Sequence, residues 1–320
     1  MRRPSTLTEH KSKQKCSNLH VCEEPQATLA VYFCPNKMYN CTHMSHPSPS
    51  KKLPRYLTTT KEVGETPLVA LERLRDEHHL DASIPLAYAG RLDPMASGKL
   101  LILVGDECKV QEKYHAFDKE YEVEILFGTS SDTGDVLGLL KDTQSKVAPK
   151  EAILNALSQC VGTITLPYPH FSSKTVQGKP LHTWTLENRL NEIEIPKKSS
   201  HIHKLTLRDI RTVPKQEVVD TVTKKIETIP RVSDPKKALG ADFRREEVRK
   251  SWEQFAQDGA DVYQIVSITC IASSGTYMRS LAEHIAHMLG TSGLAYSIHR
   301  TKIGTYRRII GNFGTWTTRF

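Results

Sequence analysis

The sequence predicts an α+β fold, and three observations carry that prediction. Residues 119–128 (KEYEVEILFG) alternate with a period of two, as a strand does; residues 64–79 and 274–290 space their apolar positions three to four apart, as helices do. The two kinds of segment interleave without a regular β-α-β repeat, which points away from a doubly wound parallel sheet.

Taken in order, residues 1–55 show no sustained period and close on HPSPSKKLPR, so they are expected to form a disordered basic extension, with the folded body spanning 56–320. In GETPLVALERLRDEHH, Thr66 is an N-cap and Pro67 a first-turn proline, and Leu68, Leu71 and Leu74 make the buried face. Leu100–Val104 reads as a buried strand. In the alternating segment, Tyr121, Val123, Ile125 and Phe127 share one face, and Glu120, Glu122 and Glu124 the wet one. PKEAILNALSQCVG is a helix with Ile153, Leu154 and Leu157 inward and Gly162 near its end. IHKLTLRDIRTV and VYQIVSITCIA are strands, the second apolar or small on both faces and therefore central. SGTYMRSLAEHIAHMLG enters a helix that buries Leu281, Ile285 and Leu289 and stops at Gly290. Between those strands, residues 214–260 are charge-rich with helical stretches, expected as a solvated excursion, with an RNA-touching role as the alternative.

A chain of 320 residues, 38% hydrophobic, can bury a sizeable core. No run approaches the roughly 20 apolar residues that span a bilayer, and no apolar segment follows the charged start. A cytoplasmic protein without membrane attachment is expected, with an organelle transit peptide left open by the basic, Ser/Thr-containing N-terminus. Of the formal charge of +8, residues 1–60 supply nine Lys/Arg against three Asp/Glu, so the other 260 residues carry only +2. Phosphate binding by the body must therefore come from a local patch. Cys108, Cys160 and Cys270 stand in apolar segments, as in a reducing compartment. Cys16, Cys22, Cys34 and Cys41 lie near His20, His43 and His46 but contain no Cys-x2-Cys pair, and no metal is expected.

The chemistry centres on YAGRLDPMASGK, residues 88–99. Pro94 keeps Asp93 out of helix and in an extended or turn conformation, which serves an ordinary turn as well as an aimed carboxylate. Three further segments, KEYEVEILFGTSSDTGDVLG, YPHFSSKTVQGKPLHTW and SSGTYMRSLAEHIAHMLG, follow it in order. Together these four segments resemble the motifs of TruB-type pseudouridine synthases, which modify uridine 55 in the T-loop of tRNA. That resemblance implies a pseudouridine-synthase-like fold, with a central mixed or antiparallel sheet flanked by helices and loops. It also implies Asp93 as catalytic carboxylate, Tyr121 as the aromatic residue at the target base and Arg279 as the partner of Asp93. Tyr88, Arg91, Lys174 and Tyr277 are implied on the substrate side.

These implied roles make chemical sense. Pseudouridine formation breaks the N1–C1′ bond and rejoins the base through C5, gaining no atoms, so no cofactor is expected. It needs one ionised carboxylate at C1′ or C2′, and a guanidinium within about 4 to 6 Å favours that charged form. The sequence departs from the family in Tyr88, where a His is usual, in Arg91, where a small residue is common, and in KEVGETP at the entry motif. Only 14 residues follow Tyr306, too few for the C-terminal RNA-binding domain of many members. The expected partner is RNA, foremost the tRNA T-arm, and a monomer is expected. Ribosomal or messenger RNA as substrate, and a non-catalytic RNA-binding protein on the same fold, are the alternatives.

Overall fold

The structure, a computed structural model, describes residues 53–143, 147–230, 241–258, 260–310 and 313–318. They belong to one unit of the chain, Lys52–Phe320. The expected N-terminal extension, apart from its last three residues, and the whole Cys/His cluster lie outside the described residues.

The first third of the body runs β1 (Tyr56–Lys61), α1 (Pro67–Glu77), β2 (Leu86–Ala89), β3 (Ser97–Val104), α2 (Gln111–His115) and β4 (Asp118–Phe127). It continues through the short pair β5 (Thr129–Ser131) and β6 (Leu140–Thr143), then α3 (Lys150–Gln159) and β7 (Gly162–Pro167). A second short pair, β8 (Thr175–Val176) and β9 (Lys179–Pro180), leads into α4 (Leu181–Leu186). The last third is β10 (Lys197–Pro214), α5 (Lys215–Thr228), α6 (Ala241–Gln257), β11 (Val262–Ala272), α7 (Met278–Met288), β12 (Gly293–Ile310) and β13 (Phe313–Thr317).

Nine of these strands form one sheet in the order β1-β3-β12-β4-β11-β10-β7, with β2 added on β3 and β13 on β12. All pairings are antiparallel except β3 with β12, which run parallel at Ser97–His299 and Gly98–Arg300. The sheet is therefore mixed, and β11 lies inside it between β4 and β10, as its apolar faces predict. Helices α3, α5, α6 and α7 cover one face: Ile153, Val222, Trp252 and Leu281 join Val123, Ile125 and Ile268 in one core. The other face of β4 carries its glutamates, two of them paired across strands, Glu124 with Arg211 at 2.8 Å and Glu120 with Lys302 at 3.0 Å.

Three expectations need correction. Leu68 is 58% exposed and Leu154 46% exposed; Ala70 and Ala156 take the buried positions instead. A one-residue rotation of a short helix suffices for this, because a small side chain lets the helix lie closer to the sheet. Residues 214–260 are not a solvated excursion. Helices α5 and α6 bury Val218, Val222, Ile226, Val248, Trp252 and Phe255, and the Trp252 indole donates to the Val136 carbonyl at 3.0 Å. Most of their charges occupy the outer faces, where Glu227 pairs with Arg249, while Arg245, also paired with Glu227, is buried and donates to the Ile229 carbonyl at 2.7 Å.

Candidate active site

Asp93 owes its direction to its neighbours. Leu92 and Met95 are buried on either side of it, so the loop between β2 and β3 is pinned by apolar anchors and Asp93 turns outward, 38% exposed. The Ala96 amide donates to the Asp93 carbonyl at 3.0 Å, closing the turn that Pro94 begins. Two buried cations hold this loop from opposite sides. Lys61, at the end of β1, donates to the carbonyls of Ala96 at 2.6 Å and Pro94 at 3.4 Å, and burial pushes its ammonium down to about 8. Arg300, from β12, donates to Lys99 at 2.7 Å, Arg91 at 3.3 Å and Gly90 at 3.5 Å. Gly98 is obligatory here: its φ is +109°, and a Cβ would stand 2.3 Å from the Arg300 carbonyl.

Arg279 rises from the first turn of α7 to meet Asp93, with Nε 2.8 Å from Oδ2. Its guanidinium is almost wholly buried and fastened by two carbonyls, Thr133 at 2.8 Å and Phe171 at 3.2 Å. A second carboxylate, Asp135, lies 3.7 Å from the same Nε. Burial works against the Arg279 charge, and Asp93 and Asp135 together outweigh it, so the guanidinium stays above its ordinary value. Burial pushes the Asp135 carboxyl up, while Arg279 opposes that; its Oδ1 accepts from the Thr133 hydroxyl at 2.8 Å and the Leu137 amide at 2.9 Å.

Tyr121 reaches the same place from β4, on the face that carries Val123 and Ile125. Burial, and to a lesser degree the Asp93 charge, push its hydroxyl up, while an Arg300 hydrogen bond pulls the other way. Arginine has only donors, so the phenol oxygen accepts and its proton remains available to the site. Tyr277 stands beside Asp93, Arg279 and Arg91, and burial raises its hydroxyl as well. Its ring meets Tyr168 edge-on with centroids 5.5 Å apart, and the Lys174 ammonium lies 5.5 Å from the Tyr168 ring centre.

The structure thus brings Asp93, Arg279, Tyr121, Tyr277 and Arg91 together, with Lys174 joined through Tyr168. Tyr88 goes elsewhere: its ring packs against the cluster of Leu71, Leu74, Leu100 and Ile102, and its carbonyl accepts from Gln111. Lys179 is occupied within the protein, paired with Glu187 at 2.6 Å and lying over the Trp184 ring. Lys61, Asp135 and Arg300 escape the reading of the sequence. Arg300 carried a signal, because Tyr296, Ile298 and Arg300 continue one inward period of two; Asp135 lies in the quoted SDTGD run but looks like a turn former. Among the described residues no group of His, Cys, Asp and Glu is arranged to hold a metal ion.

Chemically, the arrangement offers one accessible carboxylate held against a buried cation, flanked by two protonated phenols and an exposed arginine. Such a site can act as nucleophile or base on an uncharged substrate.

Three of the four segments, all but the one that carries Arg279, fall within a family match. Residues 83–227 match the model of the TruB family pseudouridylate synthase, N-terminal domain. Over 252 residues the chain is 26% identical to tRNA pseudouridine synthase B of Borreliella burgdorferi, covering 79% of this chain and 70% of that protein. It is 33% identical over 134 residues to tRNA pseudouridine synthase 4 of Schizosaccharomyces pombe, covering 42% of this chain and 32% of the relative. Among solved structures, a chain from the crystal structure of a Cbf5-Nop10-Gar1 complex aligns with a TM-score of 0.46 and 14% identity. That alignment covers 78% of this chain and 48% of the other, so the chain spans about half the length of that structure.

Proposed function

We propose that the chain, whose residues 83–227 match the TruB family model, is a member of that family and isomerises uridine to pseudouridine in tRNA, at uridine 55 of the T-loop. The single observation that carries this reading is the Asp93–Arg279 pair, in which the carboxylate is open to a substrate and the guanidinium is not. Asp93 acts at the ribose, attacking C1′ or taking the C2′ proton, while the N1–C1′ bond breaks. The freed base turns, C5 bonds to C1′, the C5 proton leaves and N1 gains one, so atoms balance without a cofactor. Tyr121 lies at the base, its ring offering a stacking face and its hydroxyl a relay for those protons.

Uridine must leave its stack to reach Asp93, which costs a few kcal/mol. Arg91, Lys174 and Tyr277 sit where contacts to the flanking phosphates and riboses offset that cost, and Tyr88 supports the loop that carries Arg91. The protein is proposed to work as a monomer in the cytoplasm. Arg91, exposed in the catalytic loop, favours a second reading, the same isomerisation on ribosomal or messenger RNA.

Incubation of the purified protein with unmodified tRNA transcripts, followed by nucleoside analysis, tests this directly. Pseudouridine is expected at a single T-loop position, and Asp93→Asn is expected to abolish it while leaving the Kd for tRNA within about threefold, since the change removes no phosphate contact. Binding without turnover by the unaltered protein would sink the enzymatic reading, and conversion of another RNA in the panel would redirect it.

A further inference from the structure

The helix α6 belongs to the segment whose charge suggested a solvated excursion, yet its first turn reaches the two loops that hold Arg279. We propose that Arg244 is a positioning residue that holds Arg279 against Asp93. Its guanidinium grips Asp132 as a fork, Nη1 to Oδ2 and Nη2 to Oδ1, the latter at 3.1 Å. The same group lies 4.5 Å from the centre of the Phe171 ring. These two contacts fall on the two loops that fasten Arg279, because Thr133, next to Asp132, supplies one of its carbonyls and Phe171 the other. A single side chain therefore spans both supports of the buried guanidinium.

The loop on one side is itself rigid. Asp132 Oδ1 also accepts the Leu139 amide at 2.8 Å, and Gly138 passes so close that a Cβ would meet Asp132 Oδ1 at 2.7 Å. The ion pair is mostly withdrawn from water, at 20% and 15% exposure, which makes it stronger than a surface pair. Arg244 holds a left-handed backbone, φ +59°, rare for a residue with a side chain and tolerated where surrounding contacts fix it. Without the fork, the loops at 131–139 and 168–173 separate, the two carbonyls no longer share one plane, and Nε leaves Oδ2.

This inference rests on the proposed isomerase activity for its kinetic arm only. Arg244→Met is expected to lower single-turnover kcat on a tRNA transcript about tenfold with KM unchanged. Arg244→Lys, which keeps the cation over Phe171 but loses the fork, recovers part of that loss. Asp132→Asn lowers kcat as well, and Arg244→Met with Asp132→Asn together are no worse than the poorer single variant. Hydrogen exchange supplies a readout independent of activity: amides in 131–139 and 168–173 exchange faster in Arg244→Met while those of β11 do not. A KM effect without a kcat effect makes Arg244 an RNA contact and overturns the proposal, as does unchanged exchange in both loops. If Arg244→Met does not fold, Asp132→Asn carries the same two measurements. If the unaltered protein makes no pseudouridine, the function fails, and exchange alone then decides the brace.

Discussion

Arg279 and Arg300 are 4% and 1% exposed; Arg279 divides its guanidinium between Asp93 and the carbonyls of Thr133 and Phe171, and Arg300 binds the carbonyls of Gly90, Arg91 and Lys99. A buried guanidinium presents five donors in a rigid plane, so the carbonyls it binds are fixed relative to one another. Arg300→Met would strand the carbonyls of Gly90, Arg91 and Lys99 and free the Tyr121 oxygen. A loss of about 3 kcal/mol in denaturant unfolding and a large drop in kcat are expected, because a buried charge network loses its donor. One turn beyond Arg279, Glu283 is pushed up to about 7, chiefly by burial. Between about 4.5 and 7 the folded chain then keeps a proton that the unfolded chain releases, so this group's contribution falls as pH rises through that window. Glu283→Gln, neutral throughout, should match the parent near pH 4.5 and exceed it by about 2–3 kcal/mol above pH 7. Urea melts at the two pH values check this; an equal difference at both would remove Glu283 as the cause.

At the scale of elements, α5 and α6 show why charge content misleads. Both helices are rich in Lys, Arg, Glu and Asp, yet their apolar residues recur on one side and seal the sheet, with Trp252 in edge contact with Phe255 and its N–H satisfied by Val136. Trp252→Ala is expected to cost about 3–5 kcal/mol, a core cavity plus a lost hydrogen bond, read as a lowered denaturation midpoint. A change below about 1 kcal/mol would mean that the segment is peripheral. Strand signals fared better than helix faces. The alternation in β4 predicts which side Tyr121, Val123 and Ile125 share, because a period of two leaves no room for rotation. The faces of α1 and α3 depend on how closely each helix approaches the sheet, and there Leu68 and Leu154 turn outward.

At the scale of the whole molecule, residues 61–320 are nearly neutral, so they offer no general positive field to a polyanion. On the proposed function, RNA binding by this part of the chain rests on a few cations beside the Asp93 loop. In salt titrations of tRNA binding, Arg91→Ala and Lys174→Ala should each reduce the slope of log Kd against log salt by about 1, with little change in which uridine is converted. A slope unaffected by both changes would place the RNA on another surface.

By itself the sequence determined the mixture of strands and helices, the central place of β11 and the four ordered segments around Asp93, because periodicity and turn chemistry are local properties. That Arg279 should stand beside Asp93 was reachable only through resemblance, since 186 positions separate them. Tertiary structure alone decided the rest. It showed that Arg300 and Lys61 clamp the loop, that Asp135 is a second carboxylate on Arg279, and that α6 carries Arg244 to both supports of the pair. Those contacts join distant strands and helices through buried charges, and a buried charge is recognised by what surrounds it, which no run of neighbouring residues records.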